Sequence, residues 1–294
     1  MNIFLSLVLA GVSVGSVYAL VALGLNVTFW TTKTLNFGHG SLMMFCAMLL
    51  VFFASQGLAM AGAAILSLLI VAVLGMFIER FTVRPALKGN NSMGWVVSTL
   101  GFGIVLQGVA AKLFGSQAVA FPSLIFGSDD FITVFGLYVS LQYLLVLGLS
   151  IFLVVVLECF LRFTRWGQAV RAVSHDPELG RVNGMPVNAI VIGSFILSAL
   201  LAGAAGLLVS QIGGTVDPAF GFNLVLFGFV AAVVGGMGSS IGALIGGIAL
   251  GVLSKLIGGY ISSAAEQPVA FAILMLMLAL RPNGLFAQAE ATKA

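Results

Sequence analysis

"FGFVAAVVGGMGSSIGALIGGIALGVL", residues 227–253, holds eight glycines and no charge, and Ser239 and Ser240 are its only polar side chains. As one helix it would run about 40 Å, against about 30 Å of bilayer hydrocarbon. It is too long for one span and too short for two. Gly235-Gly236 and Ser239-Ser240 mark a break, giving either two half-length helices or a re-entrant hairpin. The pairs Gly238/Gly242, Gly242/Gly246 and Gly247/Gly251 put small residues four apart, a flat face that lets backbones approach closely.

Composition outside this stretch agrees. Of 294 residues, 61% are hydrophobic and 7% charged, and mean hydropathy is +1.19. A soluble domain carries about 25% charged residues because its surface meets water; this surface must meet lipid. Apolar runs fall at about 5–29, 36–55, 59–78, 93–113, 132–157 and 189–211, then the glycine-rich stretch at 223–258, then 267–280. The alternation expected of barrel strands is not present. The reading is an all-α polytopic helical membrane protein of about eight transmembrane segments with broken or re-entrant Gly-rich helices. Residues 1–294 form a single transmembrane domain. The first run lacks a basic leader and far exceeds the about 7–15 apolar residues of a signal peptide, so it reads as an uncleaved span.

The net charge of +3 does not point to nucleic acid, since the basic residues are scattered over loops. Their placement orients the chain. With Arg80, Arg84 and Lys88 inside, alternation also puts Lys33, Arg162, Arg165, Arg171 and Arg181 inside. Asp129, Asp130 and Asp217 fall outside, the amino terminus is periplasmic and the carboxyl terminus cytoplasmic. Cys46 and Cys159 have no metal-binding spacing and read as small packing residues.

A second interruption lies early, in "TLNFGHG", residues 34–40. Asn36 and His39 sit there among Gly38 and Gly40, where side-chain hydrogen bonds can satisfy backbone groups freed by a bent helix. Asn36, Gly38, His39 and Gly40, with Gly235, Gly236 and Gly238, are candidates for a hinge or gate. Paired interruptions in two halves are a mark of inverted repeats in transporters. Asn26, Thr28, Ser98, Thr99, Gln107 and Gln211 are the polar candidates for a translocation path.

The sizeable polar stretch is a cytoplasmic loop at about 158–188. Its spacing predicts a helix over Trp166–Val173 and a second over Pro177–Asn183. Asp176 is placed as N-cap of the second, Pro177 at its first position and Glu178 at the positive dipole end. Gly184 fits the left-handed position past its end, with Pro186 beyond. A short capped helix there is a mechanical handle for a soluble partner.

"LNFGHGSLMM", "GQAVRAVSHDPELGRVNGM", "VVGGMGSSIGALIGG" and "LRPNGLF", in that order, resemble the permeases of branched-chain amino-acid ABC importers, in particular the shorter, first-type subunit. Gly38 and Gly180 stand where that family usually has alanine, and the Glu-Ala-Ala coupling signature is not literally present. The resemblance implies a second, homologous permease subunit, two cytoplasmic ATPase subunits carrying ATP and Mg, a periplasmic substrate-binding protein, and a bacterial inner membrane. It also implies that residues 166–184, with Arg171, Asp176, Pro177, Glu178, Arg181 and Gly184, couple to the ATPase. The solute would be a branched-chain or related amino acid.

The sequence weighs against the other classes. Its acidic residues fall in or beside loops, which leaves ion coupling little to work with. No G-x-x-x-x-G-K-[ST] phosphate cradle occurs, so ATP hydrolysis would belong to partner subunits and the chain needs no cofactor of its own. The alternative is an ion-independent channel or facilitator for a small polar solute such as urea or an amide.

Overall fold

Helices begin and end where the charged, glycine and proline punctuation lies. The computed structural model describes residues 2–88, 93–127, 130–134, 137–281 and 284–286; Asp129 lies outside them. Helix α1 (Asn2–Thr32) is followed by α2 (His39–Ser55) and α3 (Met60–Phe77). Helix α3 continues through a π-helical turn, Ile78–Val83, into α4 (Arg84–Lys88). Then come α5 (Gly94–Phe114) and α6 (Leu141–Phe163). The polar segment forms α7 (Arg165–His175) and α8 (Pro177–Val182). The last four are α9 (Val187–Gly213), α10 (Phe220–Gly235), α11 (Ser240–Tyr260) and α12 (Glu266–Leu280).

Among the described residues seven helical segments are long and apolar enough to cross a membrane, and α2 and α10 are shorter apolar helices. The chain is a polytopic helical membrane protein, and three details add to the sequence reading. First, two short strand pairs accompany the helices. Strand β1 (Val119–Ala120) pairs antiparallel with β4 (Thr215–Val216), and β2 (Phe131–Val134) with β3 (Leu137–Ser140). Within the run expected to start a span at 132, Ile132–Val134 and Leu137–Ser140 are therefore strand, as their β-branched and aromatic content favours. Second, the glycine-rich stretch gives one short helix and one full-length helix, not two halves. Its break falls at Gly236–Ser239, as the sequence indicates. Third, α6 runs on to Phe163, so Glu158 and Arg162 belong to that helix.

Small residues hold the centre. Helices α1 and α11 run antiparallel, with Gly11 against Val252 and Gly247 against Ala19. The small-residue face of α11 is shared between two neighbours. Gly242 and Gly246 abut Gly235 and Ala231 of α10, while Gly247 and Gly251 abut α1. Gly238 lies in the break, so that pairing makes no helix face. Cys46 packs on Gly203, whereas Cys159 is exposed.

The arrangement has an internal symmetry. Long helix, six-residue interruption and short helix occur twice: α1, residues 33–38, α2; and α9, residues 214–219, α10. Helices α1 and α9 run in opposite directions, and α1 packs on α10 as α9 packs on α2. The two short helices touch at corresponding positions, Gly40 and Gly221, each the second residue of its helix; a Cβ on either would overlap the other's carbonyl oxygen. The interruption matching Asn36–Gly38 is thus at 214–219, not at Gly235–Gly238.

Candidate functional site

Three features carry polar chemistry: the two breaks tied together by α1 and α10, and the helix pair α7–α8.

At the first break the chain leaves α1 through Lys33, whose φ is 54°. The Asn36 side chain accepts from the Gly38 N–H at 3.0 Å, and the Asn36 carbonyl accepts from the His39 N–H at 3.1 Å. Asn36 thereby closes the turn into α2. His39 does something else. Its ring is fully buried, edge-on to Gly24 of α1, with Nδ1 3.3 Å from the Ser198 hydroxyl of α9. Its Nε2 has no hydrogen-bond partner among the described residues. The imidazole thus bridges the first helices of both repeats.

The second break turns on Gly236 and Gly238, with φ of 102° and 94°, values that suit glycine. Helix α1 supplies its partners. The Gly238 N–H donates to Asn26 Oδ1 at 3.3 Å, Asn26 Nδ2 to the Ser239 carbonyl at 3.4 Å, and Trp30 Nε1 to the Gly238 carbonyl at 2.8 Å. Ser239 caps α11, its hydroxyl accepting from the Gly242 N–H at 3.0 Å. The carboxyl-terminal motif completes the break: Leu285 N–H donates to Val234 at 3.0 Å and Phe286 N–H to Gly235 at 3.1 Å. That docking joins two of the quoted motifs, and a long-range backbone pairing of this kind leaves no periodic trace in a sequence.

Between α7 and α9, α8 is closed at both ends. Asp176 Oδ1 accepts from Glu178 N–H at 2.9 Å and Leu179 N–H at 3.1 Å. Gly184, with φ of 76°, gives its N–H to Arg181 at 3.0 Å, and Met185 gives its N–H to Gly180 at 3.0 Å. These are the two bonds of a Schellman end. Asp176, Pro177, Glu178, Arg181 and Gly184 thus belong to one helix and its caps. Arg171 lies apart, on α7, 3.7 Å from Glu158 of α6; Glu158 also holds Arg162 at 2.5 Å. Glu158 therefore ties the handle to a span, a link the sequence did not single out. Leu179 and Val182 are 57% and 84% exposed, an apolar pair on the surface of the chain.

Five of the six polar path candidates are occupied. Asn26 holds the second break. Thr28 donates to Leu25, Ser98 to Gly94 and Thr99 to Trp95, all within their own helices. Gln211 fixes the loop after α5 through Leu124 and Phe126. Gln107 alone faces a cavity, of about 250 Å³ between α2, α5 and α10. Among the described residues no group of three His, Cys, Asp or Glu side chains could hold a metal.

Residues 7–280 match the family described as branched-chain amino acid transport system / permease component. The chain is 31% identical to the high-affinity branched-chain amino acid transport system permease protein LivH of Salmonella typhimurium, over 99% of this chain and 97% of that protein. It is also 31% identical to the corresponding permease protein BraD of Pseudomonas aeruginosa, over 99% and 98%. Among solved structures, PsaBC from Streptococcus pneumoniae in complex with Fab has a likeness of fold. Its TM-score is 0.51 at 15% identity, over 96% of this chain and 93% of that one.

Proposed function

The chain belongs to the family of branched-chain amino acid transport permeases, and from that membership we propose its place in a working importer. It is a permease subunit that forms half of the path for branched-chain or related amino acids across a bacterial inner membrane. Its companions are a second, homologous permease, two cytoplasmic ATPases that bind ATP and Mg, and a periplasmic binding protein. The conformational change of ATP hydrolysis reaches the spans through α8.

The observation that carries this reading is α8 itself. Six residues capped at both ends, with two exposed apolar side chains, are poor packing but a good insert for a cleft. Helix α7 anchors this insert. The Thr164 hydroxyl caps it by accepting from Gly167 at 3.0 Å, and Trp166 lies on Gly193 of α9. Motion at α8 is thereby delivered to α6 through Glu158 and to α9 through Trp166. Arg171 steadies the anchor, while Glu178 and Arg181 flank the apolar pair. Bending is assigned to the two breaks, Asn36–Gly40 and Gly235–Gly238, where no continuous helix resists it.

The test is reconstitution of the complete importer in proteoliposomes. Asp176→Ala removes the cap, about 1 kcal/mol of helix stability. Gly184→Val puts a β-branched residue at positive φ, a larger strain. Both lie outside the bilayer, so insertion should survive. Expected are lost uptake and lost stimulation of ATP hydrolysis by loaded binding protein. Wild-type uptake, stimulation and ATPase co-purification in Gly184→Val would remove α8 from the coupling route.

A further inference from the structure

The cavity between α2, α5 and α10 lies where the two repeats meet. At its wall the helices close up: Gly40 lies on Gly221, and Gly103 of α5 on the Ser41 hydroxyl. Its volume of about 250 Å³ is under the about 300–1,000 Å³ of pockets for drug-sized ligands, and suits a solute the size of an amino acid. Its wall is mainly apolar, including Phe37, Met44, Leu100 and Ile104, with two polar side chains, Ser41 and Gln107. Among the described residues neither of those two is engaged by another protein group. The other five path candidates, Asn26, Thr28, Ser98, Thr99 and Gln211, are bonded to protein, and the unpaired Ser150 hydroxyl of α6 lies apart from this cavity. Two unengaged hydrogen-bonding side chains at membrane depth are costly unless something visits them.

We propose that this cavity is a resting point for a zwitterionic amino acid with an aliphatic side chain, its polar end at Ser41 and Gln107 and its side chain on Met44 and Ile104. The proposal rests on the importer reading and names the site of passage within it. The wall carries no ionised group, so a solute with a charged side chain would be buried there uncompensated. A net-neutral zwitterion meets a milder demand. Helices α2 and α10 both begin at the cavity, and their positive ends favour the carboxylate. Neutral partners hold the solute weakly, as a point of passage requires. Ile104 and Phe222 at the rim are 69% and 55% exposed, so the cavity opens on a side of the subunit that its own helices leave uncovered.

The experiment measures uptake of leucine and alanine by the complete importer in proteoliposomes, with one binding protein throughout. Gln107→Leu is expected to lower leucine uptake about tenfold through one lost hydrogen bond to a charged group. Ile104→Phe narrows the cavity and should lower leucine at least about fivefold relative to alanine, while Met44→Ala shifts that ratio the other way. Ser98→Ala, whose hydroxyl serves its own helix, should match wild type. A structural effect would lower both solutes together and leave their ratio alone. An unchanged ratio in both Ile104→Phe and Met44→Ala, with wild-type uptake intact, would overturn the cavity assignment alone. No nucleotide-dependent uptake by the wild-type complex would overturn the importer reading and the site with it.

Discussion

Gly40 of α2 and Gly221 of α10 lie back to back, each blocking the space a Cβ of the other would need. The contact joins two short helices whose long partners, α1 and α9, run in opposite directions. The obstructing atoms are backbone, so no side-chain rotation can relieve a larger residue.

Gly221→Val should therefore separate α2 from α10 and lower stability by more than the about 1–3 kcal/mol usual for overpacking. Gly101→Ala and Gly108→Ala are matched controls on α5, where an added Cβ meets nothing within 4 Å. Thermal unfolding in detergent should show a clear fall in Tm for the first, and at most a small change for the controls.

How much of this was legible depends on where each signal lies. Helix α8 was legible almost to the residue, because Asp176, Pro177 and Gly184 act on their own neighbours. The break before α11 was legible for the same reason, since Gly236, Gly238 and Ser239 set their own backbone. The pairing of the repeats was not. "GGTVDPAFG", residues 213–221, shows a turn through Asp217 and Pro218, but nothing local equates it with "TLNFGHG". The cavity was illegible because it belongs to three helices at once. Gln107 could be placed among the path candidates, yet only geometry separates it from Ser98 and Thr99, whose hydroxyls turn back on their own helix.

Gly180 lies inside α8, where glycine costs about 1 kcal/mol relative to alanine. A Cβ there would stand 3.5 Å from both Val173 and Val187, ordinary contact. Gly180→Ala should stabilise α8 by about that amount. Amide exchange at Val182 and Asn183 should slow about fivefold. Faster exchange would mean that α8 is held by docking against α7 and not by its own helical bonds.

Glu158 holds Arg162 and Arg171 at once and is only 26% exposed. Partly exposed pairs contribute about 0–1 kcal/mol and are screened by salt. Glu158→Gln should thus change the Tm little at low ionic strength and not at all at high. Its effect should appear in coupling, as hydrolysis less tightly linked to uptake, because α7 loses its tie to α6. A fall in both hydrolysis and uptake with their ratio preserved would show that the pair serves assembly instead.

The carboxyl-terminal motif makes the sharpest demand. Leu285 and Phe286 donate to the carbonyls of Val234 and Gly235 at the end of α10, and Gly284 lies against Gly236. A helix ends with carbonyls that have no partner within it. Here the neighbouring backbone of α11 crowds Gly235, which leaves the returning tail to meet them. A chain ending at residue 286 keeps both bonds; one ending at residue 283 loses both. If the vacated carbonyls stay out of water's reach, each costs about 1–3 kcal/mol. The shorter chain should then unfold several degrees lower in detergent and exchange the Gly238 and Ser239 amides faster, while the longer one matches the full chain. Equal Tm and equal exchange in the two truncations would mean that water or lipid headgroups replace the tail, and that the break before α11 is held by Asn26 and Trp30 alone.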